Sequence, residues 1–166
     1  MAAVADTRLP ELVELPHLNA SDLDPLLSEE IGVWNRRFAW DFRPSADLLR
    51  RFLQTRSLYG CALRTAGEVV GYAYHVCEGH KGLIGDFYIR AGFASPSSEA
   101  LLLGGTVQSL ISTPGIRRIE SQLMMLQTAA SQQMPFGRYL RRHDRLFMEI
   151  RSDAALNLRL NPPALN

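Results

Sequence analysis

Residues 67–90, GEVVGYAYHVCEGHKGLIGDFYIR, decide the fold. Val70, Tyr72, Tyr74 and Val76 recur at every second position, the spacing of a β-strand over Glu68–Glu78. Glu78-Gly79-His80-Lys81-Gly82 supplies a turn, and a second strand is predicted over residues 83–90. Residues 58–65 alternate in the same way and lead into a turn containing Gly67, so the three strands form an antiparallel meander. Simple alternation puts Tyr59, Cys61, Leu63, Val70, Tyr72, Tyr74 and Val76 on one face. The other face carries Gly60, Ala62, Gly71, Ala73 and His75, which are mostly small.

Upstream, residues 12–15 are a short strand candidate ended by Pro16. Ser21 reads as an N-cap with Asp24 three residues on, and Pro25 suits a first turn. Leu23, Leu26, Leu27, Ile31, Trp34 and Phe38 then lie at spacings of three and four, predicting a helix over residues 22–38. Trp40-Asp41-Phe42-Arg43-Pro44 interrupts it, and a second helix starts at Ser45. Downstream, Ser95 is an N-cap and Pro96 a first helical residue for a helix over residues 96–112. Its predicted core face is Ala100, Leu103, Val107, Leu110 and Ile111, and Gly104-Gly105 would let it approach the sheet closely. A strand over 116–126, a short basic helix over 136–143 and a last strand over 146–151 complete the order β-α-α-β-β-β-α-β-α-β. The helix at 96–112 is then a right-handed crossover between parallel strands. The expected organisation is a leader over 1–10, one domain over 11–152 and a linker-like tail over 153–166, which would suit half of a longer protein.

With 166 residues, 46% hydrophobic and 21% charged, the chain can bury one sizeable core. A net charge of +1 supplies no global field for nucleic acid or an acidic membrane, and neither is expected as a partner. Lys81 is the only lysine, which points to a high-GC genome. No apolar run is long enough to span a bilayer, and the acidic, proline-containing N-terminus is unlike a signal peptide, so a cytoplasmic location is expected. Cys61 and Cys77 lack metal-ligand spacing and are read as two free buried thiols.

This order and these residues resemble the GCN5-related N-acetyltransferase (GNAT) superfamily. GEVVGYAYH is similar to its third strand and LIGDFYIR to its fourth. The helix at 96–112, the IRRIESQLMML strand and Tyr139 before a closing strand extend the likeness over roughly residues 11–151. The resemblance implies a mixed, mostly antiparallel α/β sheet flanked by helices, the acyl-CoA N-acyltransferase fold. It also implies acetyl-CoA as cofactor, with main-chain groups of Phe87, Tyr88 and Ile89 pairing with the pantetheine. A helix N-terminus stabilises phosphate through free N–H groups and its dipole, and the N–H groups of Ser97, Ser98 and Glu99 would face the pyrophosphate. The family's loop reads Arg/Gln-x-x-Gly-x-Gly/Ala. The best frame here, Ser95-Pro96-Ser97-Ser98-Glu99-Ala100, keeps only the final alanine and adds the charge of Glu99. The same residues also read as a plain capped helix start.

Acetyl transfer needs a base for the ammonium proton and an acid for the leaving thiolate. Tyr139, in FGRYLRRHD, matches the family's tyrosine acid, although His143-Asp144 stands where a Gly-Phe pair would follow. Glu78 and Asp86, flanking the turn between two strands, are the candidate bases, with His75 and His80 nearby. Asp86 alternates with Ile84 and Tyr88 and could point inward. The spacing of Glu78, His80 and Asp86 fits no standard metal site, and no metal is expected. Trp40, Asp41 and Phe42 could line a pocket for a small-molecule amine, Asp41 holding the cation, while Trp34 and Phe38 belong to the buried helical stripe. The basic run of Arg138, Arg141, Arg142, His143 and Arg145 reads as a solvated helix face. Two functions follow. One is an acetyl-CoA-dependent N-acetyltransferase acting on a small amine by direct transfer. The other is a catalytically inactive domain of the same fold with a binding or scaffolding role, in a longer protein or a homodimer.

Overall fold

Three antiparallel strands, β2 (Tyr59–Thr65), β3 (Glu68–Glu78) and β4 (Lys81–Ile89), form the centre of a five-stranded sheet in a computed structural model describing residues 10–127, 136–141 and 143. β1 (Glu11–Glu14) adds antiparallel to β2, and β5 (Arg118–Ser121) adds parallel to β4, giving the order β1-β2-β3-β4-β5. α1 (Ala20–Phe38) and α2 (Arg43–Gln54) precede β2, and α3 (Pro96–Ile111) is the crossover between β4 and β5. The predicted meander and the parallel crossover are both present. The expected strand over 146–151 lies outside the described residues.

The helices cover opposite faces of the sheet. Leu23, Leu26, Leu27, Phe42, Ala46, Leu49 and Leu53 of the α1–α2 layer pack with Ala62, Val69, Tyr72 and Tyr88 of the sheet. Leu102, Leu103 and Leu110 of α3 pack with Cys61, Leu63, Val70, Ala73, Ile84, Phe87 and Ile89. Each such aliphatic side chain contributes about 1.5–3 kcal/mol by leaving water. Gly105 allows the close approach expected of it, since a Cβ there would lie 2.4 Å from Leu12 Cδ2. Ile111, assigned to the core side of α3, is instead exposed, and Leu102 takes its place.

Two bulges overturn the simple alternation. Leu63 faces Gly71 while Arg64 faces Val69, which makes Val70 an extra residue in β3. Cys61 therefore pairs with Ala73, and Ala62 with Tyr72. Tyr72 and Tyr74 point to the α1–α2 side, opposite to Cys61, Leu63 and Val70. A second shift leaves Gly85 without a partner, because Tyr74 faces Asp86 while His75 faces Ile84. One inserted residue exchanges the faces of everything after it. Asp86 consequently shares a face with Tyr88 but not with Ile84.

Smaller differences have local causes. α1 starts at Ala20 because the Asp22 carboxylate accepts the Asn19 N–H at 2.8 Å, so the cap is Asn19 rather than Ser21 and Pro25 lies inside the helix. α2 begins at Arg43, its start tied by Asp41. β5 is four residues long rather than eleven, since the chain leaves β4 after Ser121. Cys77 is exposed and only Cys61 is buried, as Cys77 sits at the end of β3 beyond helical cover. Among the described residues of the basic segment, Gly137–Tyr139 form a 3-10 turn.

Candidate functional site

The chemistry-bearing groups converge on the α1–α2 face of the sheet, just after the β4 bulge. The Tyr72 hydroxyl stands 2.8 Å from Glu30 Oε2 and 3.2 Å from Asp86 Oδ2. The Trp34 indole N–H donates to Glu30 Oε1 at 2.9 Å, and the Phe87 backbone N–H donates to Asp86 Oδ1 at 2.7 Å. Glu30 is wholly buried and Asp86 nearly so. Spacing explains the helix side of this network, because Glu30 and Trp34 are four residues apart and share one face of α1. Two carboxylates this close in a dry setting cannot both ionise cheaply. Burial, then the charge of Asp86, pushes Glu30 well above the usual glutamate range. Burial also raises Asp86, opposed by its hydrogen bonds from Phe87, Glu30 and Tyr72. Glu30, Asp86 and Tyr72 thus form one buried hydrogen-bonded unit in which burial favours the neutral form of Glu30. Tyr88 and Arg90 make a second tie to α1, both donating to Glu29, at 2.8 and 2.7 Å.

A group raised in the folded state stabilises fully below its unfolded pKa, near 4.5 for glutamate, and loses that stabilisation as pH rises toward and through its folded value. The protein is therefore expected to lose stability from the Glu30 site as pH rises above about 4.5. Glu30→Gln keeps an acceptor for Trp34 and cannot ionise. At pH 8 the variant should be more stable than the parent by about 1 kcal/mol or more, a rise of about 2–4 °C in Tm, with a smaller difference at pH 5. His75 is lowered by burial and so loses stability below about pH 6.5, but it is common to both proteins and cancels. Urea melts at the two pH values test this; parallel pH dependences would remove Glu30 as the source.

Beyond the bulge the sheet opens. β4 and β5 pair from Lys81–Arg118 to Ile84–Ser121, and β4 continues to Ile89 with no further β5 partner among the described residues. Among the described residues the main chain over 86–89 therefore has no strand paired on that side. The segment after β5 packs on both layers, with Met125 buried in the α1–α2 cluster that includes Tyr88, and Leu123 and Leu126 against the α3 cluster that includes Phe87 and Ile89. Gly85 is needed where the strands part, since a Cβ there would lie 2.3 Å from the Tyr74 ring. α3 begins at the end of this opening. Its first turn is largely occupied: Ser98 N–H donates to Ser95 Oγ at 3.1 Å, and Glu99 N–H to Ser95 O at 2.9 Å. The Glu99 carboxylate is buried and accepts the Gln127 N–H at 2.8 Å. Of the three N–H groups expected to face an anion, that of Ser97 alone has no partner among the described residues.

Solved structures share this architecture over nearly their whole length. A ribosomal-protein-alanine N-acetyltransferase of Brucella melitensis biovar Abortus is 12% identical, with a TM-score of 0.55 over 87% of this chain and 99% of that one. An aminoglycoside N-acetyltransferase in complex with CoA is 13% identical, with a TM-score of 0.55 over 90% and 99%. An acetyltransferase of Trypanosoma brucei is 18% identical, with a TM-score of 0.53 over 85% and 99%. The fold is that of the GCN5-related N-acetyltransferases. No family model matches the chain, and no curated protein sequence matches it. Among the described residues no helix is long and apolar enough to cross a membrane.

On this GNAT fold the residues singled out in the sequence separate. Asp86 sits in the buried network, and Phe87, Tyr88 and Ile89 form the open edge of β4. Ser97 and Ser98 lie in the first turn of α3, where the Ser98 hydroxyl donates to Phe93 O at 2.8 Å. Glu78 lies at the exposed end of β3, ion-paired with Lys81 at 3.3 Å, four residues along the strand from the partner of Asp86. Asp41 does not wait for an external cation, because Arg43 Nε and Nη2 donate to its two oxygens at 2.8 and 2.9 Å. Phe42 is core and stacks on Trp34 with centroids 5.3 Å apart, whereas Trp40 is half exposed. Tyr139 is 71% exposed, with Arg138 over its ring. His75 faces α3, its Nε2 2.9 Å from Ser109 Oγ and its Nδ1 without a partner among the described residues. Arg142 and Arg145 of the basic run lie outside the described residues. Glu30, Tyr72 and Tyr74 went unrecognised as site residues. An acid within the apolar stripe of α1, one turn before Trp34, was the available signal for the first.

Proposed function

We propose that this chain is an acetyl-CoA-dependent N-acetyltransferase acting on a small amine by direct transfer. The observation that carries the reading is the parting of β4 from β5 at Gly85 with the Asp86 carboxyl immediately beside it. Acetyl-CoA would supply the acetyl group as an activated thioester. The main chain of Phe87, Tyr88 and Ile89, unpaired by β5 among the described residues, suits the amide groups of a pantetheine, and Ser97 N–H with the α3 dipole suits one phosphate. Asp86 accepts a proton from the acceptor ammonium as the carbon–nitrogen bond forms. Burial raises its pKa above the usual aspartate range, the direction that makes a carboxylate a better base. Tyr72 and Glu30 hold the carboxylate in place and share its charge. Tyr139 donates a proton to the sulfur as the carbon–sulfur bond breaks.

A second reading, a silent domain with a binding role, draws on the α3 N-terminus, where two of the three first-turn donors are already taken. Calorimetry with acetyl-CoA decides between them. With one unpartnered first-turn N–H among the described residues and Glu99 nearby, binding is expected in the range of about 10 μM to 1 mM, roughly 4–7 kcal/mol. No heat and no thermal shift at millimolar acetyl-CoA would overturn the enzyme reading.

A further inference from the structure

A cavity of about 130 Å³ lies between α2 and β3, lined by the apolar Leu48, Leu49, Phe52, Leu58, Tyr74 and Val76 and completed by two serines. Leu48, Phe52 and Val76 are between 41 and 50% exposed, so the cavity opens to solvent through an apolar rim. One wall of it, Tyr74, adjoins the site already described. The Tyr74 ring rests against Gly85, at the point where β4 parts from β5. Tyr74 is also the cross-strand partner of Asp86, which places their backbones about 4.5–5.5 Å apart. The cavity and the carboxyl thus share Tyr74 as a common neighbour. Dry cavities of about 150 Å³ accept a six-carbon ring, and a space of this size takes a ring or branched chain of about that bulk. The ring face of Tyr74 favours a cation beside it.

We propose that the α2–β3 cavity is the specificity site for the acceptor, and that it holds the hydrocarbon end of a primary amine carrying about six carbons, with the nitrogen directed past Tyr74 toward Asp86. This rests on the acetyl-transfer reading for the reaction, but not for the binding. The probes are cyclohexylmethylamine and ethylamine, added to the full-length protein with methyl and aromatic NMR as the readout. Cyclohexylmethylamine should shift the Leu48, Val76 and Tyr74 signals at low millimolar concentration, and ethylamine should not. In turnover with acetyl-CoA, Leu48→Trp, which closes the cavity from an exposed position, should lower the kcat/KM preference for cyclohexylmethylamine over ethylamine at least tenfold. Binding without turnover would leave the cavity assigned and overturn the acetyl-transfer reading instead. The assignment to an amine is overturned if those signals stay unmoved at 10 mM, or if Leu48→Trp leaves the preference as it was. It also fails if the parent is a dimer that Leu48→Glu converts to monomer, since the face would then be covered by a second copy.

Discussion

Asp86→Asn is expected to lower the rate of acetyl transfer by about 100- to 10,000-fold, the usual contribution of a positioned general base. The amide still accepts the Phe87 N–H, and so the bulge and the open edge of β4 should persist. Affinity for acetyl-CoA should accordingly change little, and the loss should fall on kcat. Without a base, turnover relies on amine already deprotonated in solution. Residual activity should then climb about tenfold per pH unit below the amine's own pKa, where the parent enzyme levels off. Steady-state rates from pH 6 to 9 measure this. A rate within threefold of the parent at pH 7 would remove Asp86 from the mechanism. Tyr139→Phe in the same assay asks the complementary question about the leaving thiolate. An unchanged kcat would exclude an exposed tyrosine as the acid.

The largest effect on stability is expected at Gly60. Its φ is +139°, where side chains are rarely accommodated, and a Cβ would lie 2.1 Å from Ala73 O and 2.7 Å from Tyr74 Cα. Those neighbours are backbone of the central strand, so they cannot rotate aside. Gly60→Val must therefore separate β2 from β3 at the hairpin that holds both core layers. A cost above about 4 kcal/mol is expected, a large share of the roughly 5–15 kcal/mol that holds a domain folded. Gly67→Ala is the control. Gly67 also has positive φ, but nothing lies within 4 Å of its would-be Cβ, so about 1–2 kcal/mol is expected. Urea denaturation compares the two, and equal losses would show that backbone strain rather than the Ala73–Tyr74 contact sets the cost.

Much of the fold was legible because its signals are local. The period of two over Glu68–Glu78, the Ser95-Pro96 start of α3 and the apolar stripe of α1 each follow from short-range sterics and burial. The faces of the meander were not legible, because Val70 and Gly85 each add one residue to a strand. A bulge is a relation between two chains and leaves no mark on the alternation of either. The basic segment reads as a helix by its residues, yet only a 3-10 turn over Gly137–Tyr139 forms among the described residues.

The site divides along the same line. Asp86, the β4 edge at Phe87, Tyr88 and Ile89, and the start of α3 could be marked from residue type and position. The pairing of Asp86 with Glu30 spans 56 positions and needs α1 laid across the bulged sheet, so only packing reveals it. Packing also shows the ion pairs of Asp41 with Arg43 and of Glu78 with Lys81, which residue type alone does not reveal. By itself, then, the sequence over residues 67–90 determined that there are strands, where they turn and that a helix follows. Tertiary structure alone decided which way Asp86 points. One extra glycine reverses the side of the strand, and the buried face it turns toward holds a second carboxyl instead of water.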